Sequence, residues 1–251
     1  MATGFIVARE AGVLSGGEVG LEVLRRVDPA IQARLLVADG DRIAEGAYLV
    51  KIEGPARSIL TAERTVLNFM QRMSGVATAT RQYVDAVRGT KAEILDTRKT
   101  IPGWRLLDKQ AVVHGGGTNH RMGLYDRVMV KDNHLMTGGD PAELQAAILR
   151  LREDHPEVEV ELEADRLDQV EAFLALEGVD YILLDNMSAA DLARAVELRG
   201  EATTPLLEAS GGVNLKTVAG IGETGVDFIS VGAITHSVKA MDLALDFTKS
   251  E

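Results

Sequence analysis

The sequence predicts an α/β protein in which an α+β unit is followed by an α/β barrel. Short apolar runs recur from residue 92 onward, with helical patterns between several of them, which is typical of βα repeats around a parallel sheet. Almost every run ends in charged, polar or glycine residues. Functional groups at the carboxyl ends of successive parallel strands mark the active-site face of a barrel, whereas a doubly wound sheet uses one crevice.

The first third of the chain predicts the α+β unit. Extended patterns at residues 4–10, 31–39 and 47–53 predict strands, and the amphipathic stretch 16–27 predicts a helix between the first two. From residue 56 to residue 88, apolar side chains recur at helical spacing with an interruption at Ser74-Gly75. This pattern predicts two helices or one kinked helix.

The remainder predicts six strands and three intervening helices. The apolar runs that predict strands lie at residues 92–95, 127–130, 158–162, 181–184, 205–209 and 227–231. The patterns that predict helices lie at residues 141–151, 167–176 and 188–198.

Composition bounds the class of protein. The chain has 251 residues, of which 46% are apolar and 26% charged, as in a compact enzyme. It contains neither a run of eighteen apolar residues nor a signal-peptide pattern at its start, so we expect a cytoplasmic protein without a membrane partner. Cysteine is absent. Any metal site must therefore use oxygen or imidazole ligands, which favours magnesium (Mg²⁺) over zinc.

Charge is distributed unevenly. The formal net charge of −11 argues against nucleic acid as a partner. Between residues 98 and 131, however, seven Lys and Arg residues stand against two acids. Arginine makes forked contacts to carboxylates, and lysine suits phosphate, so cations at the strand ends predict a pocket for a polyanion. These cationic candidates are Arg98, Lys99, His120, Arg121 and Lys131.

Acids and glycines follow the later strands. Glu161, Asp185 and Glu208 could hold Mg²⁺ together with substrate phosphates. The sequences EASGG (208–212) and SVGA (230–233) end the last two strands, where glycine-bearing loops of barrels commonly bind phosphate through backbone N–H groups. One ligand is therefore expected to carry a phosphate monoester.

Several long motifs occur in one order along the chain. They are TAERTVLNFMQRMSGVAT (61–78), LDTRKTIPGWRLLDKQAV (95–112), GGGTNHRMGLYD (115–126), KDNH (131–134), LLDNM (183–187), EASGG (208–212) and SVGAITHS (230–237). Together they resemble the quinolinate phosphoribosyltransferase family, the carboxylating nicotinate-nucleotide pyrophosphorylases. The resemblance covers essentially the whole chain.

The resemblance implies a reaction and an architecture. Quinolinate and phosphoribosyl pyrophosphate would give nicotinate mononucleotide, pyrophosphate and CO₂ in de novo NAD synthesis, with Mg²⁺. The implied fold is an incomplete α/β barrel over residues 77–237, with an N-terminal sandwich domain over residues 1–76 on which residues 238–251 pack. The implied assembly is a homodimer in which each sandwich domain caps the neighbouring barrel, and a hexamer is also open.

The resemblance also implies roles for individual residues. Lys131, Glu161 and Asp185 would be catalytic, with Mg²⁺ near the two acids. The implied quinolinate site consists of Arg64 from the other subunit, Thr97, Arg98, His120, Arg121 and Lys131. The implied phosphoribosyl pyrophosphate site consists of Lys99, Glu161, Asp185, Ser210, Gly211, Gly212, Val231, Gly232 and Ala233.

Two other functions stay open at this point. A paralogue could keep the phosphoribosyltransferase scaffold and use another acceptor, as does the related protein encoded with molybdate transport genes. A non-catalytic anion-binding protein would bind quinolinate without turnover. The TNHR and KDNH motifs favour quinolinate, because they supply cations for its carboxylates.

Overall fold

The computed structural model describes residues 1–130 and 141–248, and these form two compact units. The first unit contains Met1–Gln82, Lys99–Gly117 and the chain from Ile234 onward. The second contains Tyr83–Arg98 and Thr118–Ala233. Residues 99–117, which the family resemblance places with the barrel, thus group with the first unit. Lys131 and the rest of the KDNH motif lie outside the described residues.

The first unit is built on a four-stranded antiparallel sheet of order β12-β1-β5-β3. The strands are β1 (Ala2–Ala8), β3 (Gln32–Leu35), β5 (Tyr48–Gly54) and β12 (Leu243–Phe247). A short pair, β2 (Gly12–Val13) and β4 (Arg42–Ile43), stands apart from this sheet. Three of the four sheet strands, β1, β3 and β5, overlap the runs that predicted them.

In the described chain, three longer helical segments belong to the first unit, and the first two share a hydrophobic core with that sheet. They are α1 (Gly17–Val27), the first part of α2 (Ala56–Ala86) and α3 (Arg105–His114). Helix α2 is one helix, which continues through Ser74-Gly75 where the sequence predicts an interruption. Gly75 has another role, since a Cβ atom there would collide with the carbonyl oxygen of Lys239. The glycine therefore permits close packing and does not end the helix.

The second unit contains the predicted parallel sheet. Its strands are β6 (Glu93–Leu95), β7 (Arg127–Val130), β8 (Glu159–Ala164), β9 (Tyr181–Asp185), β10 (Leu206–Ser210) and β11 (Phe228–Ser230), in the order β6-β11-β10-β9-β8-β7. All five ladders are parallel. In the described part of the chain no ladder joins the edge strands β6 and β7, so the barrel is incomplete. The predicted fold class is confirmed.

The predicted crossover helices are present. They are α4 (Pro141–Asp154), α5 (Leu167–Leu174) and α6 (Ala189–Arg199), followed by α7 (Val218–Glu223) and α8 (Ala233–His236). Ser188 caps α6, where its hydroxyl accepts a hydrogen bond from the Asp191 N–H at 3.2 Å. None of the helices in the described residues is both long and apolar enough to cross a membrane.

One face of the parallel sheet, here called the polar face, carries the functional side chains. Paired residues of a parallel ladder point to the same face, and side chains alternate along each strand. The pairs Met129–Glu161, Glu161–Tyr181 and Glu163–Leu183 connect β7, β8 and β9 on that face. The same register rule adds these residues from the remaining strands: Asp185, Glu208, Ser210, Phe228 and Ser230.

The opposite face is apolar. Residues between the polar ones along β8, β9, β10 and β11 are buried aliphatic side chains: Val160, Leu162, Ile182, Leu184, Leu207, Ala209 and Ile229. The sheet is therefore amphipathic: one face is hydrophobic, and the other carries the charged and polar side chains. This division fixes which strand residues can reach a substrate.

Candidate active site

The carboxyl ends of β9 and β10 are joined by a tight polar turn. The backbone N–H of Asn186 donates to the Ser210 carbonyl at 2.9 Å, and its side-chain amide donates to Asp185 at 2.7 Å. Gly211 adopts a φ of 92°, and a Cβ atom there would lie 2.9 Å from the Asn186 backbone nitrogen. Only glycine fits this position, which leaves backbone N–H groups accessible beside Asp185.

Below this turn, three ionisable side chains meet in a buried cluster. Nε2 of His120 lies 3.3 Å from Glu208 Oε2 and 3.5 Å from Glu161 Oε2. Both glutamates are fully buried, and His120 is 7% exposed. The Ser230 hydroxyl donates a short hydrogen bond to the other oxygen of Glu208. Burial of two carboxylates around one imidazole is costly unless they share its proton.

Hydrogen bonding fixes the state of the His120 ring. Its Nδ1 accepts a hydrogen bond from the Arg121 backbone N–H at 2.7 Å, so the ring proton lies on Nε2 and faces the carboxylates. Burial lowers the pKa of His120, but contacts with Glu161 and Glu208 outweigh burial and raise it to about 9. This pKa by itself favours the doubly protonated ring at neutral pH, but a second proton on Nδ1 would face the Arg121 N–H that donates to that nitrogen, and the hydrogen-bond geometry decides against it. We therefore assign the Nε2–H form to this arrangement.

The two glutamates are affected in opposite directions. Burial, reinforced by the charge of Glu208, raises the pKa of Glu161. Burial also acts to raise the pKa of Glu208, but hydrogen bonds from His120 and Ser230 lower it below its ordinary value. Glu208 is thus the acid that stays ionised, and Glu161 is the one that gains a proton more readily.

Arginine side chains lie close to the buried cluster. Arg121 is 8% exposed, and its guanidinium donates to the Arg127 carbonyl at 3.0 Å. Burial and then the charge of Arg98 lower the pKa of Arg121. A site that brings these two like charges together suits an anionic ligand. Asp96, which is fully buried, accepts a hydrogen bond from the His120 backbone N–H at 2.9 Å and so holds the loop that carries both residues.

The structure brings some of the predicted site residues together. His120 and Glu161 are in contact, and Arg98 and Arg121 interact electrostatically. The remaining predicted residues of the second unit lie at strand ends: Thr97, Asp185, Ser210, Gly211, Gly212, Val231, Gly232 and Ala233. Arg64 on α2 and Lys99 after β6 are exposed and belong to the first unit.

Glu163 is a residue that the sequence prediction did not select. The ladder pairs Glu161 with Tyr181, four residues before Asp185, whereas Glu163 pairs with Leu183, two residues before it. At the strand rise, these offsets along the strand are roughly 13 Å and 7 Å. Glu163 is therefore the carboxylate of β8 nearer to Asp185. The alternation in VEVELEA already placed Glu159, Glu161 and Glu163 on one face.

The fit of Mg²⁺ follows from these positions. Ligand atoms of His120, Glu161 and Glu208 lie within 4.8 Å of one another. The proton on Nε2 occupies the direction in which His120 would bind a metal, so this cluster suits a proton. Glu163 and Asp185 offer carboxylates near the strand ends, which are the ligands that Mg²⁺ takes beside substrate phosphates.

Comparison with known proteins agrees with the motifs. The family model for the N-terminal domain of quinolinate phosphoribosyl transferase matches residues 1–74, and the model for its C-terminal domain matches residues 76–246. The chain is 47% identical over 249 residues to the carboxylating nicotinate-nucleotide pyrophosphorylase of Mycobacterium leprae, covering 98% of this chain and 86% of the relative.

Two further relatives extend the comparison. A decarboxylating quinolinate phosphoribosyltransferase of Nicotiana tabacum is 44% identical, over 95% of this chain and 71% of its own length. The solved structure of the nicotinate-nucleotide pyrophosphorylase from Francisella tularensis is 41% identical, with a TM-score of 0.91 over 98% of this chain and 86% of that one. The chain belongs to the quinolinate phosphoribosyl transferase family of enzymes.

Proposed function

We propose that the protein transfers the phosphoribosyl group of phosphoribosyl pyrophosphate to quinolinate and releases pyrophosphate and CO₂, giving nicotinate mononucleotide for NAD synthesis. This is the reaction predicted from the sequence, and the names of the curated relatives describe it. The observation that carries the proposal is the buried Arg121, paired with Arg98 beside a polar face lined with acids. A dicarboxylate acceptor suits the two arginines, and a phosphorylated sugar with Mg²⁺ suits the acids of the polar face.

The quinolinate site uses the cations around the His120 loop. Arg98 and Arg121 provide guanidinium groups for forked contacts to the two carboxylates. His120 is proposed to complete this site by orienting Arg121, whose backbone N–H donates to its Nδ1, while its own Nε2–H faces Glu161 and Glu208. Thr97 and Lys131 are proposed to contact the quinolinate. Binding a dianion removes the repulsion between the two arginines, which favours acceptors with two carboxylates.

The phosphoribosyl pyrophosphate site uses the strand ends. Backbone N–H groups at residues 210–212 and 231–233 are proposed to hold the 5′-phosphate, supported by the glycine geometry at Gly211. Lys99 and Lys131 are proposed to contact the pyrophosphate. Asp185 and Glu163 would hold Mg²⁺, which supplies charge neutralisation for the departing pyrophosphate when it is bound.

The chemistry needs positioned charge and no covalent intermediate. Attack by the pyridine nitrogen on the ribose C1 passes through an oxocarbenium-like state, which nearby carboxylates stabilise. The Asp185 carboxylate is proposed to stabilise this state by direct contact with the ribose. Glu161 is buried and is proposed to contribute indirectly, through its contact with His120. Once the ring nitrogen is quaternary, its positive charge stabilises the carbanion that the loss of CO₂ leaves on the neighbouring ring carbon, and a proton from water completes the product. Lys131 is proposed to sit where the two anions meet.

The assembly proposed is a homodimer, with a hexamer as a further possible state. Arg64 is exposed on α2 and is proposed to reach the quinolinate site of the neighbouring subunit. The support is the family resemblance. Specific activity that falls on dilution below the dimer dissociation constant is the expected result, and constant activity from a protein that sizes as a monomer would contradict the shared site.

The direct test is formation of nicotinate mononucleotide from quinolinate, phosphoribosyl pyrophosphate and Mg²⁺, with nicotinic acid as a parallel acceptor. Product from quinolinate alone is expected, because nicotinic acid lacks the second carboxylate. Product from nicotinic acid at an equal rate would contradict the assignment of the arginines. Quinolinate binding without turnover would support the non-catalytic alternative.

A further inference from the structure

Arg127, at the start of β7, has a guanidinium held from two sides. Its Nε and Nη2 lie 2.8 and 2.7 Å from Oε2 of Glu159, and its guanidinium carbon lies 3.8 Å above the centre of the Tyr181 ring. The Tyr181 hydroxyl donates to the second oxygen of the same Glu159 carboxylate at 2.9 Å. The three side chains form a closed triangle, which leaves the guanidinium little freedom to rotate.

The remaining nitrogen of this guanidinium points at the buried cluster. Nη1 of Arg127 lies 3.6 Å from Oε2 of Glu161 and makes no hydrogen bond to any described residue. Arg127 is 9% exposed, so water screens this contact little. The same Glu161 oxygen lies 3.5 Å from Nε2 of His120. The Glu161 carboxylate therefore lies between a fixed guanidinium and the imidazole, within range of attraction by both charges.

We propose that Arg127 is a positioning residue for the acceptor site, since through Glu161 it sets the orientation of the His120 ring. The inference rests on the proposed function, in which the His120 ring orients Arg121 for a quinolinate carboxylate through the backbone N–H that donates to its Nδ1. The carboxylate of Glu161 has few other restraints, because neither of its oxygens has a hydrogen-bond partner among the described residues. Without the Arg127 side chain, Glu161 can rotate, and the His120 ring loses one of its two acidic neighbours.

The backbone of Arg127 has a separate role that a side-chain substitution leaves intact. Its carbonyl accepts the hydrogen bond from Arg121 at 3.0 Å. Substitution of Arg127 therefore removes the contact with Glu161 while the main-chain support of Arg121 remains. The effect on quinolinate can then be assigned to His120 and Glu161.

The test compares Arg127→Met, Arg127→Lys and Glu159→Gln with a control, Arg199→Met. Arg199 is as buried as Arg127 and pairs with Asp227 through a short contact, away from the His120 cluster. In Arg127→Met the KM for quinolinate should rise about 10-fold, which is the size of effect expected for a residue that orients a binding residue without touching the ligand. The KM for phosphoribosyl pyrophosphate should change less than about twofold. Arg127→Lys and Glu159→Gln should lie between this variant and the wild type.

A second measurement does not depend on turnover. Nitrogen-15 NMR of histidine-labelled protein reports which ring nitrogen of His120 carries the proton. The wild type and Arg199→Met should show the Nε2–H pattern, and Arg127→Met should shift or broaden it. Unchanged His120 signals together with an unchanged KM for quinolinate would overturn the proposal. If the wild type fails to use quinolinate, the proposed function fails, and the NMR comparison still decides whether Arg127 positions His120.

Discussion

Asp96 and His120 are joined by a hydrogen bond from the His120 backbone N–H to the Asp96 carboxylate, at 2.9 Å, although 24 residues separate them. Asp96 directly follows β6 and is fully buried. The bond fixes the loop before β7 onto the other edge of the parallel sheet. Placement of the acceptor-binding residues thus depends on an acid that need not touch the substrate.

Asp96→Ala should therefore weaken both folding and quinolinate binding. Leaving a buried N–H without its acceptor costs about 1–3 kcal/mol of unfolding free energy. Denaturant unfolding measures this loss, and the KM for quinolinate should rise in the same variant. Asp96→Asn, which keeps an acceptor oxygen, is the matched control. Equal KM values in the two variants and the wild type would contradict a role for the loop.

Glu163→Gln and Glu161→Gln should differ in their Mg²⁺ dependence. Glu163 lies nearer to Asp185 along the strands, so its substitution should raise the Mg²⁺ concentration for half-maximal activity by about 10-fold. Glu161→Gln should lower activity without that shift. Calorimetry of the binding of phosphoribosyl pyrophosphate at several Mg²⁺ concentrations gives a readout apart from turnover. A larger Mg²⁺ shift in Glu161→Gln would restore Glu161 as the ligand.

Gly211→Ala should impair binding of phosphoribosyl pyrophosphate. The residue has a φ of 92° and lies against the backbone of Asn186, so a methyl group forces the turn to move. The strain costs about 1–3 kcal/mol, and the displaced N–H groups should raise the KM for this substrate. Gly200→Ala, which also has positive φ but nothing within 4 Å, is the control. It should lower stability and leave the KM unchanged.

Asp227 should contribute a pH-dependent part of stability. Burial raises its pKa, but hydrogen bonds from the Leu207 N–H, Lys91 and Arg199 outweigh this and lower the pKa below its ordinary value of 3.8. A lowered folded-state pKa gives stability that is present above the unfolded value and is lost as pH falls through the folded value.

The matching experiment uses Asp227→Asn. At pH 7 the variant should lose about 1–3 kcal/mol of unfolding free energy, because Arg199 is left without its charged partner. The difference from the wild type should shrink as the pH falls below about 4. Thermal unfolding across this range measures it. A difference that grows on acidification would mean that the pKa is raised.

The sequence predicts the strands well because each is a short apolar run that ends in polar residues. It predicts Asp185 as a site residue because strand ends converge in any parallel barrel, and it predicts His120 and Arg121 from the cations of the TNHR motif. It does not predict Arg127 as part of the site, because that residue begins a strand and looks like one charge in a basic window. Its contacts with Glu159 and Tyr181 arise only from the register of three strands.

The sequence also does not show whether Glu161 or Glu163 lies nearer to Asp185. Both acids lie in one alternating run, so both face the same side of the sheet. Which one is near Asp185 depends on how β8 aligns with β9, and the stagger of neighbouring strands is a tertiary property. Similarly, Gly75 resembles a helix interruption in sequence, and only the approach of the Lys239 carbonyl gives its actual reason.

The pairing of β1 with β12 has a consequence for synthesis of the chain. Residues Ala2–Ala8 leave the ribosome long before Leu243–Phe247, with which one edge of their strand pairs. In the parallel sheet, β6 likewise pairs with β11 and must wait for residue 228. Such distant pairings slow folding and leave sheet edges exposed in nascent chains. The first sheet is therefore complete only after residue 247 has been synthesised, and the parallel sheet only after residue 230.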